Sequence, residues 1–257
     1  MKADAPPKLR LAGLKKNLRG RQVLDGVDLD VAPGRSLVII GGSGVGKSVT
    51  LKCALGIMQP EQGQVLVDGE YVTRLKQDAR AAAMRKFGML FQGGALFDSL
   101  SIWENIAFRL IYADGVQRSE ARERAIETMR KVRLAPDFAD VRTVELSGGM
   151  QKRAGLARAI IAKPDILFFD EPTTGLDPIT ADAINDLIVE MVKELGCAAV
   201  SITHDMASAR KIGDEVAMLY AGRIVWRGAA ASIDHSGDAM VDQFVSGRAD
   251  GPIQAVV

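Results

Sequence analysis

From Leu24 to Val31, apolar Leu24, Val27, Leu29 and Val31 interleave with Asp25, Asp28 and Asp30, the pattern of a strand with one face buried. Pro33-Gly34 predicts a turn, and the run from Ser36 to Ile40 predicts a short apolar strand. Glycine then recurs from Gly41 to Gly46, and Lys47 to Gly56 reads as a helix closed by its glycine. Gln64 to Val67, an Asp68-Gly69 turn and Tyr71 predict a hairpin. The middle of the chain changes character. From about Gly94 to Ala162 the pattern predicts helices joined by polar loops, one opening on a capping box at Ser101 and Glu104. Another, Ser119 to Lys131, is charged and amphipathic. Strand-like runs return at Ile166 to Phe169, Ala198 to Ile202, Val216 to Tyr220 and Ile224 to Trp226. After Ala229 the tail is polar and weakly patterned until Met240 to Val245. Strands alternating with helices predict an α/β core on a mainly parallel sheet, interrupted by a helical subdomain.

Composition narrows the function. The 257 residues are 47% hydrophobic and 25% charged, with ample apolar material for a core. Length alone leaves one large domain or two small ones open. Thirty-three basic and thirty-two acidic side chains give a net charge of +1, which supplies no global attraction for nucleic acid, so no nucleic-acid partner is expected. Cys53 and Cys197 are the only cysteines and read as inert thiols of a reducing compartment. The start carries Pro6 and Pro7 and lacks an apolar run, so no secretory signal is expected. No stretch reaches the roughly 18 uncharged apolar residues that span a bilayer. The chain is expected to be soluble by itself, with any spanning helices supplied by another polypeptide.

Three segments carry chemistry. Gly41-Gly42-Ser43-Gly44-Val45-Gly46-Lys47-Ser48 fits the phosphate-binding pattern G-x-x-x-x-G-K-[ST] and lies between an apolar strand and a helix, the context that pattern needs. Glycines let successive backbone N–H groups turn toward one phosphate chain, and the helix adds its positive end. Lys47 is placed for the β- and γ-phosphates of a nucleotide and Ser48 for Mg²⁺. Ile166 to Phe169 runs into adjacent carboxylates, with Asp170 placed to hold Mg²⁺ and Glu171 to polarise an attacking water. Ser147-Gly148-Gly149, between Leu146 and Met150, puts a hydroxyl and bare N–H groups at a helix N-terminus, a second phosphate-binding device. A glycine-containing N-cap would look the same. One nucleotide does not need two such devices from one chain.

In this order the motifs resemble the ABC ATPase family over nearly the whole chain: the glycine-rich loop, Gln92 after Phe87 to Phe91, the Leu146-Ser-Gly-Gly-Met150 signature, Asp170-Glu171, Gly175-Leu176-Asp177 and Thr203-His204-Asp205. The resemblance implies one ABC ATPase domain over 1–257, with an N-terminal antiparallel β part, a helical subdomain at about 94–162 and a C-terminal extension at about 230–257. It implies ATP and Mg²⁺ as ligands, hydrolysis of ATP, and head-to-tail pairing of two copies. Ser147, Gly148 and Gly149 of one copy would then close on ATP held by the other's loop. Gln92 would touch Mg²⁺ and the attacking water, His204 the γ-phosphate, and Asp177 would connect the two sites. His235, in the tail, carries no such role. The chain departs from the family pattern twice. No aromatic residue occurs from Lys15 to Leu24, where relatives stack adenine, and Leu18 or a neighbour occupies the place. Val49 follows Ser48 where many relatives carry a hydroxyl, leaving only its backbone N–H for the α-phosphate.

Phe91-Gln92-Gly-Gly-Ala95-Leu96-Phe97, the Gly46-Lys47-Ser48-Val49 run, Gly149-Met150 and the tail from Gln243 to Ile253 are similar to the ATPases of MCE-type lipid transporters, the Mla (maintenance of lipid asymmetry) and toluene-tolerance group. That resemblance implies a peripheral place on the cytoplasmic side of a bacterial inner membrane. It implies permease subunits, an MCE-domain lipid-binding protein and a small STAS-domain protein as partners, and phospholipid as cargo. An ATPase of a small-solute importer, for instance for amino acids, keeps the fold and changes the cargo. A soluble ABC protein of repair, translation or cluster assembly is a further alternative; translation types usually carry a second cassette and repair types insert long coiled coils or zinc modules, and nothing here is long enough for either. A binding module without hydrolysis is disfavoured by Lys47, Asp170, Glu171 and His204 together.

Overall fold

The computed structural model describes residues 6–72, 75 and 77–254. In chain order the elements are β1 (Leu9–Leu18), β2 (Arg21–Val31), β3 (Ser36–Ile40), α1 (Lys47–Ala54), β4 (Gln62–Val67), β5 (Glu70–Tyr71), α2 (Gln77–Met84) and β6 (Phe87–Leu90). They continue as α3 (Ile102–Tyr112), α4 (Arg118–Lys131), α5 (Gly148–Ile160), β7 (Ile166–Asp170) and α6 (Pro178–Leu195). The last are β8 (Ala198–Ile202), α7 (Met206–Ile212), β9 (Glu215–Tyr220), β10 (Arg223–Ala229) and α8 (Ala239–Ser246). The chain divides into two compact units, Met1–Met84 with Ala198–Val257, and Arg85–Cys197.

The first unit contains an antiparallel sheet in the order β2-β1-β4-β5. Leu9, Leu11 and Leu14 of β1, Leu24, Val27, Leu29 and Val31 of β2, and Val65 and Val67 of β4 are all buried. Of the aspartates between the apolar residues of β2, Asp25 pairs with Lys15 and Arg223 and Asp30 with Arg227, while Asp28 accepts from the Gly13 N–H at 2.9 Å. These are exposed pairs and add little stability. The alternation thus gives both faces of β2, but not β1, which the sequence reading passed over. A second set of strands places β3 between β8 and β9, parallel to both, with β10 closing an antiparallel hairpin on β9. All five residues of β3 are buried, which is why that run carries no polar alternation. Helix α1 ends at Ala54, two residues before Gly56, whose φ of 68° takes the left-handed turn that ends the segment.

Beyond β10 the tail is more ordered than its weak pattern suggests. Ala230–His235 forms a 3₁₀ turn that buries Ala230 and Ile233. Asp238 caps α8 by accepting from the N–H groups of Met240 and Val241 at 2.8 and 3.1 Å. Gln243 is buried on α8 and its amide grips the segment that follows. Oε1 accepts from the Ile253 N–H at 2.7 Å, and Nε2 donates to the carbonyls of Arg248, Ala249 and Ile253 at 3.2, 3.3 and 3.0 Å.

The second unit packs α3, α4, α5 and α6 with the parallel pair β6 and β7. Ser101 and Glu104 form the expected capping box on α3. The Ser101 N–H donates to Glu104 Oε2 at 2.9 Å, and its hydroxyl to the same oxygen at 2.8 Å. Ile102, Ile106 and Leu110 of α3 are buried, as are Ala121, Ala125 and Met129 of α4. Helix α5 lies unusually close to β6. A Cβ on Gly88 would stand 2.3 Å from the Ala159 carbonyl oxygen, and one on Gly155 would stand 2.7 Å from Leu90 Cδ1. Only glycine permits that approach.

Candidate functional site

The glycine-rich loop leaves the buried end of β3 and enters α1. Gly41 has φ 147°, and a Cβ there would sit 2.3 Å from the Leu219 carbonyl oxygen. Gly46, the N-cap of α1, has φ 112°, and a Cβ there would lie 2.8 Å from Leu24 Cδ2. Both glycines are required by backbone shape and by lack of room. Between them Gly42 and Val45 are half-buried, while Ser43 and Gly44 are exposed. Lys47 is buried, and its Nζ donates to the carbonyls of Gly41 and Gly42 at 2.7 and 2.9 Å. Ser48 is exposed and Val49 half-buried in the first turn of α1, which holds no acidic residue and no side-chain cap. A helix start of this kind keeps its positive end available to an anion.

His204 belongs to the same unit. Strands β3 and β8 run parallel in register, Ile39 opposite Ile202, so the glycine-rich loop and His204 leave the same end of the two strands. His204 is exposed, and the loop that carries it is fixed on both sides. The Thr203 N–H donates to the Ile39 carbonyl at 3.3 Å, and Asp205 caps α7 through Ala207 and Ser208. Burial pushes the Asp205 carboxyl up, but hydrogen bonds from Ser208 and Ala207 and the nearby His204 leave it below its ordinary value.

The second unit brings together Gln92, Asp170, Glu171 and the Ser147 turn. Leu90 pairs with Phe169, so Gln92 and the Asp170-Glu171 pair emerge from the same end of parallel strands. Gln92 is exposed; Asp170 and Glu171 are half-buried. Glu171 holds a φ of 50°, uncommon for a residue with a side chain, and its Oε2 accepts from Thr174 Oγ1 at 3.1 Å. Ser147 is the N-cap of α5, its hydroxyl accepting from the Met150 N–H at 3.4 Å. Gln151 Nε2 steadies the approach to that turn through the carbonyls of Thr143 and Leu146 at 3.1 and 3.3 Å. Asp177 caps α6 through the N–H groups of Ile179 and Thr180, both at 3.0 Å. The Thr180 hydroxyl holds the Asp177 carboxyl below its ordinary value. A Cβ on Gly148 would meet Leu176 Cδ2 at 3.5 Å and one on Gly149 would meet Thr180 Cγ2 at 2.7 Å, so the Ser147 turn and the Asp177 cap are neighbours.

One residue here is absent from the sequence reading. Lys152 of α5 is buried, and its Nζ donates to the backbone carbonyls of Gln92 and, at 3.3 Å, Glu171. The available signal was periodicity, because Lys152 shares the face of α5 that buries Leu156 and Ala159.

A glycine-rich loop at an open helix start, then a serine-capped glycine turn at a second helix start and a strand ending in paired carboxylates, defines a nucleotide-hydrolysing cassette. Residues 24–174 match the sequence family described as ABC transporter, and the chain belongs to that family as an ATP-hydrolysing subunit with the ABC ATPase P-loop fold. Over 245 residues it is 36% identical to the probable ribonucleotide transport ATP-binding protein mkl of Mycobacterium leprae, covering 95% of this chain and 70% of that protein. Over 243 residues it is 36% identical to the intermembrane phospholipid transport system ATP-binding protein MlaF of Haemophilus influenzae, covering 93% of this chain and 92% of that one. The dimeric structure of a post-hydrolysis state of the ATP-binding cassette MJ0796, bound to ADP and Pi, superposes with a TM-score of 0.79 at 30% identity. It covers 86% of this chain and 98% of that one.

Proposed function

We propose that this chain is the ATPase of an MCE/Mla-type transporter that moves phospholipid between membranes. The observation that carries the reading is the match to MlaF, which covers nearly the full length of both chains. The whole chain acts as one ABC ATPase domain, with a helical subdomain at about 94–162 and the tail from about 230 as an extension. Among the described residues no helix is long and apolar enough to cross a membrane. In this reading permease subunits supply the path through the bilayer. An MCE-domain lipid-binding protein and a STAS-domain protein complete the expected assembly, with this chain peripheral on the cytoplasmic side of the inner membrane.

In this reading the N–H groups from Gly41 to Val49 cradle the phosphates of ATP, and Lys47 turns from its loop carbonyls toward the β- and γ-phosphates. Among the described residues no cluster of three His, Cys, Asp or Glu side chains could hold a metal. The oxygen donors of Ser48, Gln92 and Asp170 are instead the hard, mixed set that suits Mg²⁺ shared with phosphates. Bound there, Mg²⁺ would neutralise charge developing on the phosphate oxygens. Glu171 orients and deprotonates the attacking water, and His204 holds the γ-phosphate. Ser147, Gly148 and Gly149 close on the ATP of a second copy, and Asp177 joins the two sites. Closure of the pair moves the permease through the segment around Gln92, and hydrolysis reopens it.

Two measurements test this. Glu171→Gln should bind ATP, form a stable dimer and lose most turnover; rapid hydrolysis by that variant removes Glu171 as base. Gentle solubilisation of native membranes should recover the chain with a permease, an MCE-domain protein and bound phospholipid. The mycobacterial relative is named for ribonucleotide transport, which favours a second reading in which the cargo is a small solute. Recovery with a solute-binding protein instead would establish that reading.

A further inference from the structure

We propose that Lys152 is a positioning residue for ATP hydrolysis, its ammonium fixing the Gln92 and Glu171 loops to the helix that carries the Ser147 turn. The proposal rests on the roles given above to Gln92 and Glu171. Lys152 is 5% exposed on α5, and burial disfavours a cation there. A residue kept under that penalty needs strong partners. Its partners are the carbonyls of Gln92 and Glu171, which lie past the last paired residues of β6 and β7, Leu90 and Phe169. Burial pulls the Lys152 ammonium below its ordinary value, and the nearby carboxylates of Asp170 and Glu171 offset only part of that.

A second cation on the same helix acts on the same loop. Arg158 donates to the carbonyls of Gly94 and Ala95 at 2.6 and 2.7 Å. Helix α5 therefore grips Gln92, Gly94 and Ala95 by their main chain, and through Gly88 and Gly155 it lies against β6 with no room to slide. Only Lys152 among these contacts also reaches the Glu171 segment. That segment holds the left-handed φ of Glu171, and the Lys152 bond to its carbonyl helps fix the direction in which the carboxylate leaves the chain. Movement of the Ser147 turn is transmitted through α5 to Gln92 and Glu171 together. The bonds are to backbone, so side-chain identity at 92 and 171 is free to serve substrate.

The test uses Lys152→Gln, Lys152→Met and Lys152→Arg in the full chain. Melting temperature, binding of a fluorescent ATP analogue and steady-state hydrolysis are measured for each, with Glu171→Gln as control. Misplacing a general base by about 1 Å lowers rate by on the order of a hundredfold. Lys152→Gln is too short to reach both carbonyls. It should lose roughly 30- to 100-fold in kcat, with KM and nucleotide affinity within about threefold of the parent. Lys152→Met should do the same if it folds. Lys152→Arg, which restores charge and donors, should keep at least about a third of kcat. Parental kcat in Lys152→Gln overturns the proposal. So does loss of nucleotide binding in step with kcat, or an arginine variant no better than glutamine. If Glu171→Gln itself turns over rapidly, the assignment of Glu171 falls first. If Glu171→Gln is trapped while Lys152→Gln is fully active, only the role of Lys152 falls.

Discussion

Replacing Gln243 with Leu should release residues 248–254 from α8 while leaving the rest of the fold intact. The amide makes four contacts to the tail. Nε2 has two hydrogens to share among three carbonyls, so at most three bonds are fully made at once, counting the one accepted from Ile253. At about 1 kcal/mol net for each, the clamp contributes about 3 kcal/mol to holding the tail in place. Leucine is similar in size and apolar, so the loss falls on the bonds rather than on packing. Three kcal/mol at the site of local opening corresponds to a change on the order of a hundredfold in exchange rate. Hydrogen exchange read at the Ile253 amide should accelerate by that factor, and trypsin should cut faster after the exposed Arg248. Gly251 supplies an independent check. A Cβ there would stand 2.3 Å from Gln243 Cδ, so Gly251→Ala should expel the same amide. The two substitutions should then be far from additive. An Ile253 amide that exchanges at the parental rate in Gln243→Leu would refute the account.

Three further outcomes follow from other parts of the molecule. Ser101→Ala removes half of the α3 capping box and should destabilise the fold by about 1 kcal/mol, read as a lower melting temperature with ATP hydrolysis retained. Burial pushes both thiols, Cys53 and Cys197, up to about 11. At pH 8 only about one molecule in a thousand then carries each thiolate, so alkylation should be slow until the chain unfolds; fast native labelling would contradict this. Because the folded values are raised, these thiols erode stability only as pH rises from about 9 toward 11. Leu18 is half-buried at the end of β1 in a stretch with no aromatic ring. If adenine rests there, Leu18→Tyr should lower KM for ATP roughly fivefold with kcat unchanged, since stacking is worth about 1–3 kcal/mol; an unchanged KM places the base elsewhere.

What the sequence made legible was local. Gly41 to Ser48 announces its loop because strand, turn and helix follow one another within a few residues. The capping box on α3 spans Ser101 to Glu104. Asp170 and Glu171 are legible because a buried strand ends beside them. Strand β1 was missed because its burial pattern shifts between Leu11 and Leu14, where the pairing with β2 also slips. Helix α7 is seven residues long, too short to show a helical period. The contacts of Lys152 and Gln243 were not legible for a different reason. Their partners are main-chain carbonyls and N–H groups, which every residue carries, so no side-chain pattern marks the far end of the contact. Asp177 was read through its resemblance to a residue that joins two sites. In this chain it caps α6, a local duty that requires no second copy.

The Lys47 ammonium already gives two of its three N–H donors to the carbonyls of Gly41 and Gly42, which makes phosphate binding in part an exchange. Where a bond to a phosphate oxygen replaces one given to the loop, the measured affinity reports a difference between two sets of partners. It also makes Lys47 part of what shapes the loop. A variant lacking the lysine removes a contact to substrate and an internal tie of the cradle together, and its lost affinity is the sum of both defects.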